Sequence, residues 1–306
     1  MARAVRFDEY GGVDVLQVVD VEVPPPAAGE AQVEVRAAGI NPGEAPIRSG
    51  AVAAKWPATF PSGQGSDLAG VVRAVGDGVS GVALGDEVLG WSWDRSSQAE
   101  LVDVPAAQLI PKPPALGWEE AGALYVVGVT AFGAARAVAA GPGDTIAVSA
   151  AAGGVGSVLV QLLRVRGAEV LGIASDANRD WLASKGVTQV PYGEGLAKRL
   201  RAAAPNGIDA FIDLHGPEYV ELAVELGVAP ERIETIVSWD KAQEVGAKME
   251  GSSEATSPEN LAEMADLVAS GQIEVPIAAT YPLEQVRAAF EELEERHTRG
   301  KIVLVP

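Results

Sequence analysis

The spacing of apolar residues divides the chain into two regions with different periods. Up to about Pro113, short runs alternate apolar with polar residues and are separated by turn-forming clusters such as Gly76-Asp77-Gly78. Short alternating runs between such turns are typical of an all-β barrel or sandwich. The strands predicted here are Ala4–Phe7, Leu16–Val23, Gln32–Ala38, Leu68–Val75, Glu87–Trp91 and Ala99–Val104.

From Trp118 onward the apolar residues follow a helical period, and helical segments alternate with short apolar runs. Such alternation predicts a parallel, doubly wound sheet. This segment lies in mid-chain, so we expect the tail to return to the β domain. The predicted domains are residues 1–115 with 272–306, and residues 116–271. The predicted helices are Trp118–Leu124, Thr130–Ala139, Asn178–Lys185, Leu196–Ala203, Glu218–Leu226, Pro258–Ser270 and Pro282–Glu295, and the predicted strands are Thr145–Ser149, Val170–Ile173, Thr188–Pro191, Ile208–Leu214, Arg232–Val237 and Lys301–Val305.

The most informative motif lies between Thr145 and Ile173, which reads as strand, small-residue turn, helix and strand. A pyrophosphate must approach the start of such a helix closely, where N–H groups and the positive dipole end favour an anion. The turn spells Ala-x-Gly-x-x-Gly, with Ala at the first of the three usual glycine positions. A tight turn in another kind of α/β protein is the alternative. The predicted dinucleotide contacts are Ala151, Gly153, Gly154, Val155 and Gly156.

Composition narrows the class of protein. Hydrophobic residues make up 48% and charged residues 21% of the 306 positions, as in globular proteins. The net charge of −19 argues against nucleic acid and anionic membranes as partners. The absence of cysteine excludes disulfides and thiolate metal sites. No signal-peptide pattern and no membrane-spanning run is present, so a cytoplasmic enzyme is expected.

Several short motifs occur in an order that is similar to a known family. The chain resembles the medium-chain dehydrogenase/reductase superfamily, specifically its zinc-independent quinone oxidoreductase branch, related to zeta-crystallin. The resemblance implies a GroES-like β-barrel domain, a Rossmann domain, an active-site cleft at their junction, and a homodimer. The motifs are Ala37-Ala38-Gly39-Ile40-Asn41-Pro42, Gly65-Ser66-Asp67-Leu68-Ala69-Gly70, Gly85-Asp86-Glu87-Val88, Gly128-Val129-Thr130-Ala131, the turn 151–156, and Arg299-Gly300-Lys301-Ile302-Val303-Leu304.

The resemblance also identifies candidate chemistry near the first two motifs. Zinc-dependent relatives hold a catalytic metal with Cys and His there, and this chain has neither, so no metal is expected. The resemblance places Asn41 and Thr130 beside the nicotinamide, where the Asn41 amide is able to donate to a substrate carbonyl. The alternatives are turn chemistry for Asn41 and a helix N-cap for Thr130. Glu44 stands where relatives usually have Asp.

The second strand of the nucleotide motif bears on cofactor choice. It ends at Ser175, where an acidic residue would favour NAD. Ser175 and Arg179 suit a 2′-phosphate, and Tyr192 matches a family position that faces it. Asp176 would repel that phosphate, and Arg179 has the alternative of being a solvated helix residue. NADPH is therefore the predicted cofactor.

The remaining candidates have structural alternatives. His215 follows the strand Ile208–Leu214 and is a candidate for binding the ribose or moving a proton, or else a solvated loop residue. Lys301, in the closing motif, is a further cofactor-binding candidate. Trp91, Trp93 and Tyr125 either line a pocket for flat apolar acceptors or pack the protein interior.

Together these features predict an NADPH-dependent reductase of quinones or α,β-unsaturated carbonyl compounds that acts without a metal. A pathway-specific enoyl or ketone reductase of secondary metabolism is one alternative. A nucleotide-binding protein without turnover is the other.

Overall fold

The computed structural model describes all residues from Met1 to Pro306. The strands are β1 Ala2–Phe7, β2 Gln17–Val21, β3 Glu30–Gly39, β4 Ser62–Gly63, β5 Asp67–Val75, β6 Glu87–Trp91, β7 Leu101–Pro105, β8 Leu109–Pro111, β9 Thr145–Val148, β10 Glu169–Ile173, β11 Thr188–Val190, β12 Ala210–Asp213, β13 Ile233–Thr235, β14 Ile277–Pro282 and β15 Lys301–Val305. The α-helices are α1 Glu44–Arg48, α2 Trp118–Ala137, α3 Gly154–Val165, α4 Arg179–Ser184, α5 Leu196–Ala203, α6 Pro217–Glu225, α7 Trp239–Val245, α8 Ser252–Ala255, α9 Pro258–Ala269 and α10 Val286–Glu294. No helix combines the length and hydropathy that crossing a bilayer requires.

The first of two units contains residues 1–126, 257–270 and 275–306. Its larger sheet has the order β14-β15-β3-β5-β6-β8, with β7 also paired to β3, and its smaller sheet has the order β2-β1-β4. The alternation along β3 buries every second residue over most of its length, which accounts for its central place. Strand β15 pairs antiparallel with the end of β3, so the tail extends the sheet that the N-terminal part begins.

Two glycines let helix α2 pack closely against β3. A Cβ on Gly122 would lie 2.4 Å from the Ala37 carbonyl oxygen, and one on Gly39 would lie 2.9 Å from both the Ala123 Cα and the Asp67 carboxylate. No side chain fits at either position without displacing backbone. This close packing brings the backbone of α2 within hydrogen-bond distance of Asp67, which is central to the candidate site.

The second unit contains residues 127–256 and 271–274. Its five strands are all parallel and follow the order β11-β10-β9-β12-β13. Strands β10 and β11 follow on one side of β9, and the chain then crosses to the other side of β9, where β12 and β13 lie. Ligands of doubly wound sheets bind at the carboxyl ends of the strands where the direction reverses, here between β9 and β12.

The predicted elements differ from the observed ones at a few places. Two short strands, β4 and β8, were not predicted, because runs of two or three residues carry no measurable period. The tail strand β14 was not predicted either. Helix α2 is continuous where two helices were predicted. Gly128 is tolerated inside it because the residues around it are buried, which offsets the roughly 1 kcal/mol cost of a helical glycine. Thr130 consequently lies inside a helix, and the N-cap alternative for it is wrong.

Helix α9 belongs to the first unit, where it contacts β8. The predicted boundary at residue 272 would instead place it in the second. The helix continues the α/β alternation in sequence, so its periodicity does not reveal which sheet it packs against.

Candidate functional site

In the second unit, the turn between β9 and α3 leaves the start of the helix bare. Gly153 precedes α3, and no side chain caps the helix. The first N–H groups of an α-helix have no partner within it, so the N–H groups of Gly154, Val155 and Gly156 are available to an anion. A Cβ on Gly156 would lie 2.2 Å from the Ala150 carbonyl oxygen, so only glycine allows this packing. Ala151 is buried beneath the turn.

A buried aspartate ties together the carboxyl ends of three strands. Asp213 accepts from the Ser149 hydroxyl at 2.9 Å and from the Thr235 and Ser238 hydroxyls at 2.8 Å each. It also accepts from the backbone N–H of His215 at 2.8 Å. Sequence reasoning missed this residue, although a polar residue ends each of the apolar runs that become β9, β12 and β13.

His215 itself is exposed. Its Nε2 lies 3.8 Å from a Glu218 oxygen, and its ring meets the Tyr219 ring edge-on. The Asp213 network fixes the backbone at His215 and leaves the imidazole at the surface, so both of its predicted alternatives stay open.

Beyond β10, the residues predicted to select NADPH interact with one another. The Arg179 guanidinium pairs with Asp176, and both side chains are mostly exposed. Asn178 donates to the Ser175 hydroxyl at 3.1 Å. Asp176, which was predicted to repel a phosphate, therefore pairs with Arg179, which was predicted to bind it. An exposed pair of this kind contributes at most about 1 kcal/mol, so it is easily exchanged for another partner.

An arginine that sequence reasoning missed holds the loop carrying Tyr192. Arg199 donates to the carbonyl oxygens of Pro191 at 3.0 Å, Gly193 at 3.1 Å and Glu194 at 2.7 Å. Tyr192 itself is 55% exposed. The guanidinium thus fixes the backbone of the loop while the phenol remains accessible.

In the first unit, six polar side chains from separate parts of the chain form a buried group, which we call the polar cluster. Each is at most 5% exposed, and polar groups this deeply buried need hydrogen-bond partners. The members are Asn41 after β3, Glu44 in α1, Gln64 after β4, Asp67 at the start of β5, Gln98 before β7 and Lys301 at the start of β15.

The orientation of the Asn41 amide is determined by its neighbours. Its Nδ2 donates to Asp67 Oδ2 at 3.0 Å and to Glu44 Oε1 at 3.3 Å, and its Oδ1 accepts from Lys301 Nζ at 2.5 Å. Both N–H groups of the amide therefore point at carboxyl groups. The role predicted for Asn41, donation to a substrate carbonyl, requires one of these bonds to be exchanged.

Lys301 uses all three of its donors, two on cluster members and one on the backbone. Besides Asn41, its ammonium contacts Asp67 Oδ2 at 3.0 Å and the Ile40 carbonyl oxygen at 2.9 Å. The second Asp67 oxygen accepts from the backbone N–H of Val126 at 2.7 Å. Lys301 thus balances Asp67 and orients Asn41, while cofactor binding by Lys301 stays a prediction.

Glu44 is an acid of the cluster whose pKa is strongly raised. Burial, and then the charge of Asp67, raise the pKa of its carboxyl to about 7, against the opposing effects of Lys301 and of hydrogen bonds from Asn41 and Gln98. Its Oε2 accepts from Gln98 Nε2 at 2.9 Å and faces Gln64 Nε2 at 3.5 Å. The carboxyl therefore exchanges protons near neutral pH.

A catalytic zinc does not fit the donors in this cluster. Asn41 offers an amide, the carboxylate of Asp67 is engaged by Lys301, and an ammonium already occupies the position that a cation would take between them. No group of three or more His, Cys, Asp or Glu side chains capable of holding a metal occurs in the structure.

The aromatic residues predicted to line a substrate pocket form one group in the first unit. Trp91 and Tyr125 are buried and stacked, with centroids 5.0 Å apart and rings within 12° of parallel. Trp93 meets Tyr125 edge-on at 6.5 Å and is 54% exposed. The indole N–H of Trp91 is buried without a hydrogen-bond partner. Trp93 is thus the member of the group available to a ligand in this conformation.

The second unit contains another buried acid. Glu234, on β13, is 0% exposed, and neither of its carboxyl oxygens has a hydrogen-bond partner. Burial and the charges of Glu250 and Glu254 raise its pKa to about 8. The Glu250 backbone amide and Lys248 act in the opposite direction, and neither gives the carboxyl a hydrogen bond of normal geometry.

Comparison with known proteins covers both units. Residues 27–114 match the alcohol dehydrogenase GroES-like domain family, and residues 185–304 match the family described as zinc-binding dehydrogenase. Quinone oxidoreductase 1 of Escherichia coli K12 is 30% identical over 100% of both chains. The quinone oxidoreductase of Rattus norvegicus is 30% identical over 99% of this chain and 96% of its own.

Solved structures lead to the same family. The quinone oxidoreductase of Coxiella burnetii has a TM-score of 0.89 at 28% identity, covering 100% of this chain and 99% of its own. The Escherichia coli quinone oxidoreductase complexed with NADPH has a TM-score of 0.88 at 27% identity, covering 99% and 100%. The predicted fold class, a GroES-like β-barrel domain plus a Rossmann doubly wound domain, is confirmed. The chain belongs to the zinc-independent quinone oxidoreductase branch of the medium-chain dehydrogenase/reductase superfamily.

Proposed function

We propose that this oxidoreductase uses NADPH to reduce quinones or α,β-unsaturated carbonyl compounds without a metal ion. The bare start of α3 at the carboxyl edge of the parallel sheet carries the proposal, because its unpartnered N–H groups suit a dinucleotide pyrophosphate. A similar protein, the quinone oxidoreductase of Escherichia coli, has been solved in complex with NADPH.

The pyrophosphate is proposed to bind the N–H groups of Gly154, Val155 and Gly156. The 2′-phosphate is proposed to bind Ser175 and Arg179. Tyr192 is proposed to lie nearby, on the loop whose backbone Arg199 holds. Arg179 would leave Asp176 for the phosphate, because a phosphate offers more charge and more acceptor oxygens than one carboxylate.

The polar cluster is proposed to act on the substrate carbonyl. Bound NADPH supplies a hydride from its nicotinamide ring, and negative charge then develops on the carbonyl oxygen of the acceptor. An Asn41 N–H would stabilise that charge, while Lys301 and Asp67 keep the amide from rotating away. Thr130 is proposed as a second residue near the nicotinamide, and Trp93, Trp91 and Tyr125 as the aromatic surface for a flat acceptor.

The test is turnover with defined acceptors. The purified protein is mixed with NADPH or NADH and with a panel of naphthoquinones, enones and simple ketones, and loss of the nicotinamide absorbance is followed. Oxidation of NADPH with quinones or enones supports the proposal. Oxidation with ketones alone favours a ketone reductase. Tight NADPH binding without oxidation of any acceptor favours a nucleotide-binding protein without turnover.

A variant of the α3 turn tests the cofactor site directly. Gly154→Asp puts a carboxylate at the start of the helix and should weaken NADPH binding about 30-fold, or about 2 kcal/mol. Asn206→Asp, in the exposed turn before β12 at the opposite edge of the sheet, adds the same charge and should leave the affinity unchanged. Equal affinities for the two variants, measured by nicotinamide fluorescence, would remove α3 as the pyrophosphate site.

The absence of a metal, the homodimer and the cytoplasmic location are part of the same proposal. Elemental analysis of active protein tests the first, because a stoichiometric metal would contradict it. Light scattering on the purified protein tests the second, and fractionation of the source cells tests the third.

A further inference from the structure

Glu44 contacts the side chain of Asn41, and its role rests on the proposed function, in which Asn41 donates to a substrate carbonyl. An asparagine amide has two N–H groups, and both are already used, one by Asp67 and one by Glu44. A carbonyl that takes a hydrogen bond from Asn41 must therefore displace one of these carboxyl groups.

The two bonds differ in strength and in how firmly the acceptor is held. The Asp67 oxygen lies 3.0 Å from the amide nitrogen, and its carboxylate is fixed by Lys301 and by the Val126 backbone. The Glu44 oxygen lies 3.3 Å away, near the limit of a hydrogen bond. The bond to Glu44 is thus the one that a substrate displaces.

We propose that Glu44 is a positioning residue that holds the Asn41 N–H as a carboxylate and releases it to the substrate carbonyl as a carboxylic acid. A proton from solvent binds Oε2, the oxygen that faces the two glutamines. The other oxygen, Oε1, then becomes a neutral carbonyl, which is a weaker acceptor than a carboxylate.

The surroundings of Glu44 suit both forms of the carboxyl. Gln98 donates its Nε2 to Glu44 Oε2, while its own Oε1 is buried without any partner. Turning that amide over would present Oε1 to the protonated carboxyl as an acceptor for its O–H. The side chain that donates to the anion is thus also able to accept from the acid.

The charges in the cluster favour the same exchange. The charged groups that face Glu44 are Asp67 at the start of β5 and Lys301 at the start of β15, and its other neighbours are amides. Asp67 and Lys301 cancel, so an ionised Glu44 leaves one uncompensated buried charge and a protonated Glu44 leaves none. Its pKa of about 7 places the exchange at neutral pH.

The first experiment is the pH dependence of kcat/KM for a quinone at saturating NADPH. The wild-type value should fall roughly tenfold between pH 6 and pH 8, because the acid form of a group with a pKa of about 7 declines by that factor. Glu44→Gln, a permanently uncharged isostere, should remove this fall. A wild-type profile without the fall, or an unchanged fall in the variant, would overturn the proposal.

Two glutamine variants separate positioning from a structural role. Gln98→Leu removes a donor that lowers the pKa of Glu44 and should move the midpoint upward by roughly half a pH unit or more. Gln64→Leu, the matched control, removes only the 3.5 Å contact and should move it less. Variants that lower the rate without moving the midpoint would contradict the proposal.

The second experiment does not depend on turnover. The side-chain amide protons of Asn41 are followed by NMR in the ¹⁵N-labelled protein, with the assignment made by their loss in Asn41→Ser. They should shift with a midpoint near neutral pH in the wild type and not in Glu44→Gln. Absence of that shift overturns the proposal even if the protein is active. Presence of the shift with no oxidation of any acceptor would confirm the Glu44–Asn41 coupling and refute the proposed function.

Discussion

Glu44 and Glu234 are both buried acids with a raised pKa, one in each unit, yet their surroundings differ. Glu44 lies among three amides that donate to it or face it, with a lysine and an aspartate in the same cluster. Glu234 has no hydrogen-bond partner at either oxygen and faces two further glutamates. Burial is the largest cause of the higher pKa in both cases.

The difference shows that a raised pKa alone does not identify a functional group. A proton on Glu44 changes which bonds Asn41 makes, so its titration is transmitted to a neighbour. A proton on Glu234 changes only the cost of burying its own charge. Partners that respond to either protonation state are what distinguish the two acids.

Removing the cation from the polar cluster would make the Glu44 environment resemble that of Glu234. In Lys301→Met the buried Asp67 carboxylate loses its counter-charge, and the free energy of unfolding should fall by about 3–5 kcal/mol. Urea unfolding at pH 7 measures this loss. We expect it to be the largest loss of stability among the substitutions discussed here.

Lys241→Met is the control for that substitution. Lys241 pairs with Glu221 and Glu244, both largely exposed, so solvent screens these pairs and its loss should cost much less than the loss of Lys301. If Lys301→Met cost no more than Lys241→Met, the lysine would not be balancing the cluster.

Glu234 should make stability depend on pH without affecting turnover. The ordinary pKa of a glutamate carboxyl is 4.5, and burial in the folded protein raises the pKa of Glu234 to about 8. Between these values the unfolded chain has released the proton and the folded chain retains it. The contribution of Glu234 to stability is therefore complete below pH 4.5 and falls by up to about 1.4 kcal/mol per pH unit until about pH 8.

The Glu234→Gln variant should lose this dependence. It should match the wild type in unfolding free energy near pH 4.5 and exceed it at pH 9, with an unchanged kcat/KM profile. The exposed Glu231→Gln, on the approach to the same strand, should follow the wild type at every pH. Equal pH dependence in Glu234→Gln and the wild type would show that Glu234 is ionised in the folded protein.

Neutralising a neighbour of Glu234 should have the smallest effect. The charge of Glu250 raises the pKa of Glu234, and Arg136 already pairs with Glu250 at 2.9 Å. Glu250→Gln should therefore lower the pH at which the stability curve levels off by only a few tenths of a unit. No shift, or a shift upward, would mean that the Glu250 carboxylate does not raise the pKa of Glu234.

The sequence predicted the parallel sheet and the α3 turn because both are local signals. Strand, turn and helix follow one another between Thr145 and Val165, and the periodicity of each is measurable there. The continuity of α2 was not predicted, since Gly128 weakens the helical pattern and only burial in the fold outweighs it. The short strand β4 has no local signal at all.

The polar cluster was predicted only in part. Asn41 and Lys301 stood in motifs shared with the family, but the sequence does not reveal that the lysine donates to the asparagine. The motif that contains Asp67 was considered only because it lacks the His that zinc-dependent relatives have there. Gln64 and Gln98 carry no signal, because they meet through a backbone bond, Gln98 N–H to the Gln64 carbonyl at 3.0 Å, between two loops.

The bond from Lys301 to Asn41 joins residues 260 positions apart, with the whole second unit inserted between them. Until β15 reaches β3, the polar cluster holds two acids and three amides with no positive charge among them. Contacts of such long sequence separation form late in folding, since closing a large loop is slow. The cluster is therefore complete only when both ends of the first unit are in contact. A chain in which β15 has not yet paired with β3 would lack the lysine that balances Asp67 and orients the Asn41 amide.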